Sequence, residues 1–219
     1  MNYLSFDIGI KNLAYCILTP EKNIVEWDVI NLNENPICET HLRKKCEKQS
    51  SHFRIDKETG VKHYHCSAHS KKHKKCKKIN ANYDIFQLSK TCIKKLSAID
   101  LSSVKVVLLE NQPALKNPTM KSIQMIVYSF FMMKGVLDES VPVCEIHMVN
   151  ARNKLKVYKG PPIECNIKDK YKKNKFLSVE YTGKMIESEK ECFQKKFQDS
   201  KKKDDLADAY LQGIYWIEK

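Results

Sequence analysis

Residues 2–18 have the sequence NYLSFDIGIKNLAYCIL and predict two β-strands joined by a tight turn. Apolar side chains dominate residues 2–8 and residues 13–18, and the residues between them are of the kinds that form turns. A third strand is expected over residues 24–32. The chain should therefore open with a β-meander whose first strand ends near Asp7.

The rest of the core pattern lies after residue 80. Apolar residues at helical spacing predict an amphipathic helix over 82–99, and the continuous apolar run 104–109 predicts a buried, parallel strand. Residues 119–137 predict a helix that is apolar nearly all round and therefore buried on more than one side. A further strand is expected over 142–149 and a last helix over 204–217. Together these elements predict an α/β domain with a mixed sheet flanked by helices.

The positive charge is concentrated in one segment. The chain has 219 residues and a net charge of +13, and residues 38–78 carry 13 Lys and Arg against 4 Asp and Glu. Such a patch is typical of nucleic-acid-binding proteins, although a solvated, solubilising surface is the alternative. Four of the nine cysteines and six of the seven histidines lie in the same segment. We therefore interpret residues 36–80 as an inserted, Cys/His-rich basic module within a domain that spans residues 1–219.

Nothing in the sequence predicts a membrane segment. The longest strongly apolar run, residues 123–133, is interrupted by Gln124 and Ser129, and it is shorter than the roughly 20 residues that a bilayer requires. The first residues do not form a signal peptide. We therefore expect a soluble, intracellular protein with no membrane partner.

Four acidic residues stand where an apolar strand ends or a helix begins, namely Asp7, Glu110, Asp205 and Asp208. A carboxylate beside a buried strand is costly to keep ionised unless a cation compensates it. Magnesium prefers such oxygen ligands, and two ions about 3.5–4 Å apart can promote phosphodiester hydrolysis. Taken singly, an acidic residue at the end of a strand is more often an ordinary turn former than a catalytic group.

Three motifs resemble those of the poxvirus-type Holliday junction resolvases found in large DNA viruses. Residues 6–14, FDIGIKNLA, are similar to the first-hairpin motif of that family, and residues 110–113, ENQP, to its acidic motif after the central strand. Residues 202–209, KKDDLADA, resemble the final motif, which fungal mitochondrial resolvases share and bacterial RuvC shares more loosely. The motifs occur in the family's order, so the resemblance covers nearly everything except the module at 36–80.

The resemblance implies an RNase H-like α/β fold, a homodimer and magnesium-dependent paired nicks across a four-way DNA junction. It implies that two magnesium ions per active site bind the catalytic residues Asp7, Glu110, Asp205 and Asp208. Asp204 would cap the last helix, although Asp204 and Asp205 could exchange these roles. Lys11 could contact a phosphate near the scissile bond or be a turn lysine, and Asn12 could orient the hairpin or be a turn residue.

The basic module offers more cysteine and histidine ligands than the four that one structural zinc needs. Some large-virus relatives carry a similar insertion, and that resemblance implies the ligands Cys38, Cys46, Cys66 and His69. Rival ligands are His41, His65 and Cys76, and the two Cys-x-x-His pairs Cys38/His41 and Cys66/His69 form another plausible set. A metal-free surface loop is the remaining interpretation. A positively charged module that is stabilised by zinc would bind DNA through its phosphates.

A second basic stretch, residues 168–175, could line the DNA path or form a solvated helix face. Its candidate DNA contacts are Lys168, Lys170, Lys172 and Lys173, with Tyr171 packing on a sugar or base. The apolar helix at 119–137 is either wholly internal or half of a homodimer seam.

Three functions fit the sequence. The first is a Holliday junction resolvase, which would act in a viral factory in the host cytoplasm or in the nucleus. The second is another RNase H-like nuclease that cuts flaps, branched DNA or RNA–DNA hybrids. The third is a non-catalytic, zinc-containing nucleic-acid-binding protein.

Overall fold

The computed structural model describes residues 1–33, 35–41, 44–79 and 84–219. The chain divides into two compact units, and we describe each by itself. Unit 1 comprises Met1–Leu32 and Ile85–Lys219, and unit 2 comprises Asn33–Asp84.

The strands in the described residues are β1 (Asn2–Asp7), β2 (Asn12–Leu18), β3 (Ile24–Asn31), β4 (His52–Ile55), β5 (Lys62–His65), β6 (Lys77–Lys78), β7 (Val104–Glu110) and β8 (Glu145–Val149). The α-helices are α1 (Ser67–Ser70), α2 (Ile85–Leu96), α3 (Pro118–Phe131), α4 (Lys170–Met185), α5 (Glu191–Asp199) and α6 (Lys203–Ile217). A π-helical segment, Met132–Leu137, continues α3, and a 3₁₀ helix, Ala151–Val157, follows β8.

Unit 1 contains a five-stranded mixed sheet with the order β3-β2-β1-β7-β8. β1, β2 and β3 form the expected antiparallel meander, whereas β1, β7 and β8 run parallel to one another. The predicted opening hairpin and the predicted parallel strand at 104–109 are therefore confirmed.

Both faces of this sheet are covered by helices, because successive strand residues point to opposite faces and both sets are apolar. Leu13, Tyr15 and Ile17 of β2 pack in a cluster with α2 and α3. Cys16 and Leu18, on the other face, pack in a second cluster with α5, α6 and the 3₁₀ helix. This arrangement confirms a mixed sheet flanked by helices.

The apolar helix predicted over 119–137 is less buried than expected. α3 begins with the N-cap Asn117 and Pro118 at its first position, as such pairs commonly do. Its core side is buried, but Met125, Met133 and Leu137 are 41%, 57% and 69% exposed. The prediction of burial on more than one side is therefore wrong for the single chain, because α3 covers only one face of the sheet.

Three further boundaries differ from the predictions. The helix expected over 82–99 extends from Ile85 to Leu96, and residues 82 and 83 lie outside the described residues. The strand expected over 142–149 begins at Glu145, and the last helix begins at Lys203, one residue earlier than predicted. Within the described ranges, no helix is long and apolar enough to cross a membrane.

Unit 2 contains a three-stranded antiparallel sheet with the order β5-β4-β6, and the short α1 lies between β5 and β6 in the sequence. The buried apolar side chains among its described residues are those of Cys38 and Cys66. So small an apolar core contributes little to stability, which is the situation in which a bound metal is typically needed.

Candidate active site and candidate zinc centre

A cleft of about 510 Å³ opens in unit 1 where β1 and β7 end. Its walls include the four acidic residues singled out by sequence, which are Asp7, Glu110, Asp205 and Asp208. Lys11 from the turn after β1 and Asn12, the first residue of β2, also line it. The structure therefore brings residues that are up to about 200 positions apart into one cavity.

Strand pairing explains why Asp7 and Glu110 are neighbours. β1 and β7 are parallel, and Phe6 pairs with Leu109. The next residues, Asp7 and Glu110, are the last of their strands and therefore lie at the same edge of the sheet. The start of α6 is tied to the meander by two hydrogen bonds. The indole N–H of Trp27 donates to the carbonyl oxygen of Leu206 at 3.0 Å, and Asn12 Nδ2 donates to Asp205 Oδ2 at 3.3 Å.

The cleft carries an excess of carboxylate charge around Asp7. Desolvation raises the pKa of Asp7 well above its usual value, and a hydrogen bond with Glu110 and the charges of Glu110 and Asp208 raise it further. Desolvation also raises the pKa of Asp208, and its Oδ1 atom is buried with no hydrogen-bond partner in the described part of the chain. A divalent cation would satisfy both the charge and the orphaned oxygen.

Lys154 is a cleft residue that the sequence did not single out. Its Nζ lies 2.7 Å from Asp208 Oδ2, and its side chain is only 14% exposed. Desolvation alone would lower the pKa of Lys154, but the carboxylates of Asp208, Glu110 and Asp7 outweigh it and raise the pKa. The short 3₁₀ helix that carries Lys154 is capped by Asn150, whose side chain accepts from the Arg152 N–H. That cap is the sequence signal that could have drawn attention to this segment.

Two glutamines connect the cleft to the core. Gln112 Nε2 donates to Glu110 Oε2 at 3.0 Å and to the carbonyl oxygen of Ile8 at 3.4 Å. The backbone N–H of Gln112 donates to Oε1 of the fully buried Gln124 at 2.9 Å. α3 thus fixes Gln112, which in turn holds the Glu110 carboxylate at the ends of β1 and β7. Sequence analysis did not identify this role of Gln112 and Gln124.

Asp204 has a different position from the one predicted. The N-cap of α6 is Lys202, whereas Asp204 lies in the first turn and forms an ion pair with Lys175. The expectation that Asp204 caps the helix is therefore wrong, because the helix begins one residue earlier. Asp205, and not Asp204, lines the cleft.

The donor set of the cleft suits hard cations, since every candidate ligand is a carboxylate oxygen. The carboxylates do not, however, form a tight cage. Among residues 1–33, 35–41, 44–79 and 84–219, groups of three or more candidate ligands with mutual distances within 4.8 Å occur in unit 2 and not in this cleft. Lys154 stands among the carboxylates and supplies positive charge there.

The predicted DNA-contacting lysines fall into two groups. Lys11 lines the cleft. The other four, Lys168, Lys170, Lys172 and Lys173, are exposed around the start of α4 but do not line it. Their neighbours Tyr171, Asn174 and Lys175 do line the cleft, and the Tyr171 ring is 68% exposed at its wall.

Unit 2 contains a compact group of soft ligands. Single ligand atoms of Cys38, Cys46, Cys66 and His69 all lie within 4.8 Å of one another. His69 Nδ1 is 3.4 Å from Cys38 Sγ and 3.5 Å from Cys66 Sγ. Three sulfurs and one imidazole fit tetrahedral zinc, because such sets are common in structural zinc sites.

The surroundings of Cys38 favour its thiolate form, which is the form that binds metal. Burial alone would raise the pKa of Cys38, but hydrogen bonds from Cys66 and Thr40 bring that pKa to about 5. The rival ligands His41, His65 and Cys76 do not belong to the group within the described residues. His65 instead contacts Thr40 Oγ1 through Nδ1 at 2.9 Å and stacks on His73.

Comparisons with known proteins place the fold. No protein-family model matches the chain. The uncharacterized protein L451 of Acanthamoeba polyphaga mimivirus is 27% identical over an alignment of 311 positions, which covers all of this chain and 75% of that protein.

Solved structures of two resolvases are among those that the chain resembles. One is the yeast mitochondrial Holliday junction resolvase Ydc2, with a TM-score of 0.52 and 15% identity over 98% of this chain and 78% of that one. The other is the Fowlpox virus resolvase in complex with its substrate Holliday junction DNA, with a TM-score of 0.46 and 18% identity over 100% and 97%. The fold is that of the yeast resolvase, so the predicted RNase H-like α/β class is confirmed.

Proposed function

We propose that this protein is a structure-specific endodeoxyribonuclease that resolves Holliday junctions by paired, two-metal-ion hydrolysis of phosphodiester bonds. The observation that carries the proposal is the convergence of Asp7, Glu110, Asp205 and Asp208 in one cleft of a resolvase-like fold. These carboxylates come from three separate elements, and a structural role would not require them to share a cavity.

Two Mg²⁺ ions bound by these carboxylates would activate the attacking water and stabilise the leaving oxygen. The side chains have distinct tasks in this arrangement. Asp7 and Glu110 provide the central negative charge, and Gln112 keeps the Glu110 carboxylate oriented toward the cleft. Lys154 holds the Asp208 carboxylate and places a positive charge where a phosphate would approach.

Basic side chains at and near the cleft would bind the DNA backbone. Lys11 lies within the cleft, and the exposed lysines around the start of α4 extend the positive surface. These contacts would position the junction without reading its sequence.

We further propose that the protein acts as a homodimer. Met125, Ile126 and Met133 line an apolar groove of about 380 Å³ between α3 and α2, and Ile93 of α2 also lines it. A two-fold dimer would present one active site to each of the two strands that are nicked in a junction.

The Cys3His group in unit 2 would hold a structural zinc ion, so that residues 36–80 form a zinc-binding module. Bound zinc would supply stability that the small apolar core of unit 2 does not provide. The basic surface of unit 2 would add contacts with DNA phosphates. The mimivirus relative supports a viral source, and such a resolvase would act in the host cytoplasm or nucleus.

Cleavage of a synthetic four-way junction in magnesium tests the proposal, with linear duplex, flap and RNA–DNA hybrid as substrate controls. Symmetric paired nicks confined to the junction are expected. Preferential cleavage of flaps or hybrids would retain the nuclease site but contradict the resolvase assignment. Binding of these substrates without cleavage in either magnesium or manganese would indicate a non-catalytic nucleic-acid-binding protein.

A further inference from the structure

One face of the sheet in unit 2 combines aromatic and basic side chains. Residues directly opposite each other on antiparallel strands point to the same face. Tyr64, Phe53 and Lys77 are paired in this way across β5, β4 and β6, and Ile55 and Lys62 form the next row. We call these five residues the aromatic–basic face.

The opposite face of the same sheet serves the interior of unit 2. His65 is only 4% exposed, contacts Thr40 through Nδ1 and stacks on His73. His63, also on that face, pairs with Glu39 through Nδ1 at 3.0 Å. The two partners, Thr40 and Glu39, belong to the same segment as the candidate zinc ligand Cys38. The internal contacts of unit 2 therefore occupy one side of the sheet.

The aromatic–basic face remains open to solvent at several points. Ile55 is 48% exposed, and Lys62 and Lys77 are exposed. Lys62 Nζ lies 5.4 Å from the centre of the Phe53 ring, which places a cation directly beside an aromatic surface.

We propose that the aromatic–basic face binds single-stranded nucleic acid, with Phe53 and Tyr64 stacking on unpaired bases and Lys62 and Lys77 contacting the adjoining phosphates. Aromatic rings beside lysines suit this ligand, because every base offers a π-face and every nucleotide a negative charge. A duplex hides its base faces in the stack and would use only the lysines. The strongly positive segment 38–78 selects a polyanionic ligand over a neutral peptide.

This inference does not rest on the proposed nuclease function, since it concerns side chains of unit 2 and a different contact with nucleic acid. An anionic membrane shares the negative charge but lacks the stacked bases. Membrane-surface binding commonly uses a long amphipathic helix with a continuous apolar side, whereas this surface is a short sheet with isolated apolar side chains. The base-stacking ligand is therefore favoured.

The test uses the full-length, zinc-loaded chain with Asp7→Asn, so that cleavage does not interfere. Binding is measured by fluorescence anisotropy with a mixed-sequence single-stranded oligonucleotide and with the corresponding duplex. Tyr64→Ala should weaken single-strand binding about tenfold, because one stacked ring is lost, and should change duplex binding little. Tyr64→Phe keeps the ring and should stay within about twofold. Phe86→Ala removes an exposed ring from unit 1 and should have no effect.

Two further variants make the test independent of folding problems. Lys62→Gln with Lys77→Gln alters exposed side chains and should reduce the slope of log K against log salt concentration for single-strand binding by about 0.7 per lysine. Phe53→Leu should reduce the quenching of a 2-aminopurine base in the oligonucleotide, and zinc content and thermal melting report whether unit 2 stays folded.

Unchanged single-strand affinity in Tyr64→Ala and in the lysine variant would overturn the proposal. An equal loss for single strand and duplex in Tyr64→Ala would also overturn it, since stacking would then play no part. The same holds if vesicles rich in phosphatidylserine displace the oligonucleotide from this face and Tyr64→Ala weakens vesicle binding alone.

Discussion

The ammonium nitrogen of Lys154 lies 2.7 Å from Oδ2 of Asp208, and both residues line the carboxylate cleft. Both side chains are largely withdrawn from solvent, with 14% and 19% exposed. The lysine therefore offsets mutual repulsion among carboxylates that would otherwise destabilise the metal-free protein.

Lys154→Met should lower the stability of the magnesium-free protein by about 3 kcal/mol, because it leaves a buried carboxylate without its partner. Adding magnesium should restore part of the loss, since bound cations supply the missing positive charge. Urea unfolding with and without magnesium measures both effects. Lys184→Met, which breaks an exposed pair with Glu187, is the control and should change stability far less, because water screens an exposed ion pair. Equal effects of the two substitutions would contradict the assigned role of Lys154.

Asp7→Asn should abolish junction cleavage while leaving junction binding within a few-fold of the wild type. The carboxylate is expected to be a metal ligand, and the amide removes its charge but preserves its size. Gel-shift and cleavage assays on the same four-way junction separate the two properties. Asp204→Asn is the matched control, because Asp204 pairs with Lys175 and does not line the cleft. Cleavage by Asp7→Asn at the wild-type rate would exclude Asp7 from the active site.

The same substitution should change the pH dependence of stability. Because the pKa of Asp7 is raised on folding, the folded state holds this proton more tightly than the unfolded state does. The contribution of Asp7 to the stability of the metal-free wild type therefore falls as the pH rises above the ordinary pKa of 3.8. Asp7→Asn lacks this loss, so its stability relative to the wild type should grow between acidic and neutral pH in magnesium-free buffer. A constant difference across that range would contradict the prediction.

Gln112→Met should weaken manganese binding about tenfold, because the Glu110 carboxylate loses the hydrogen bond that orients it. Gln124→Leu should have a similar effect and should also cost about 1–3 kcal/mol of stability, since it strands the buried N–H of Gln112. Isothermal titration with Mn²⁺ measures the affinity without relying on activity. Gln198→Met, at an exposed position of α5, is the control. Unaltered manganese affinity in both Gln112→Met and Gln124→Leu would show that the Glu110 carboxylate needs no such support.

The sequence predicted the elements whose patterns are local. Runs dominated by apolar residues on either side of turn-forming residues identified β1 and β2, and a continuous apolar run identified β7, because a strand buried on both faces tolerates few polar residues. The four carboxylates were found because they stand at the ends of such elements. Their convergence depends on the parallel pairing of β1 with β7, which brings together residues about 100 positions apart.

The remaining site residues depend on contacts between elements that no local pattern records. Lys154 resembles any other lysine of a basic region until the 3₁₀ helix is placed beside α6. Gln124 lies in a strongly apolar helix, where its polar side chain signals a buried hydrogen bond but not its partner. The outer side of α3 was expected to be buried because the composition of the helix resembles that of a core helix. Its exposure could not be predicted, because it depends on α3 packing against one face of the sheet.

Cys66→Ala should eliminate bound zinc, whereas Cys76→Ala should retain one equivalent per chain. Cys66 contributes a thiolate within 4.8 Å of the other three candidate ligands, and Cys76 does not. Because unit 2 has little apolar core, loss of zinc should also unfold its sheet and increase proteolysis within residues 44–79. Metal analysis and limited proteolysis check both points. Equal zinc loss in the two cysteine variants would contradict this ligand set.

The exposed side of α3 provides the test of the proposed dimer. Met125→Glu combined with Met133→Glu places two charges in the apolar groove and should convert the protein to a monomer, because each buried charge would lack a partner in the interface. Val25→Glu, at an exposed position of β3, should leave the oligomeric state unchanged. Analytical ultracentrifugation measures the association, and junction cleavage by the monomer should yield single nicks in place of paired ones. A wild-type protein that sediments as a monomer at micromolar concentration, yet makes paired nicks, would show that coordination of the two cuts does not require this surface.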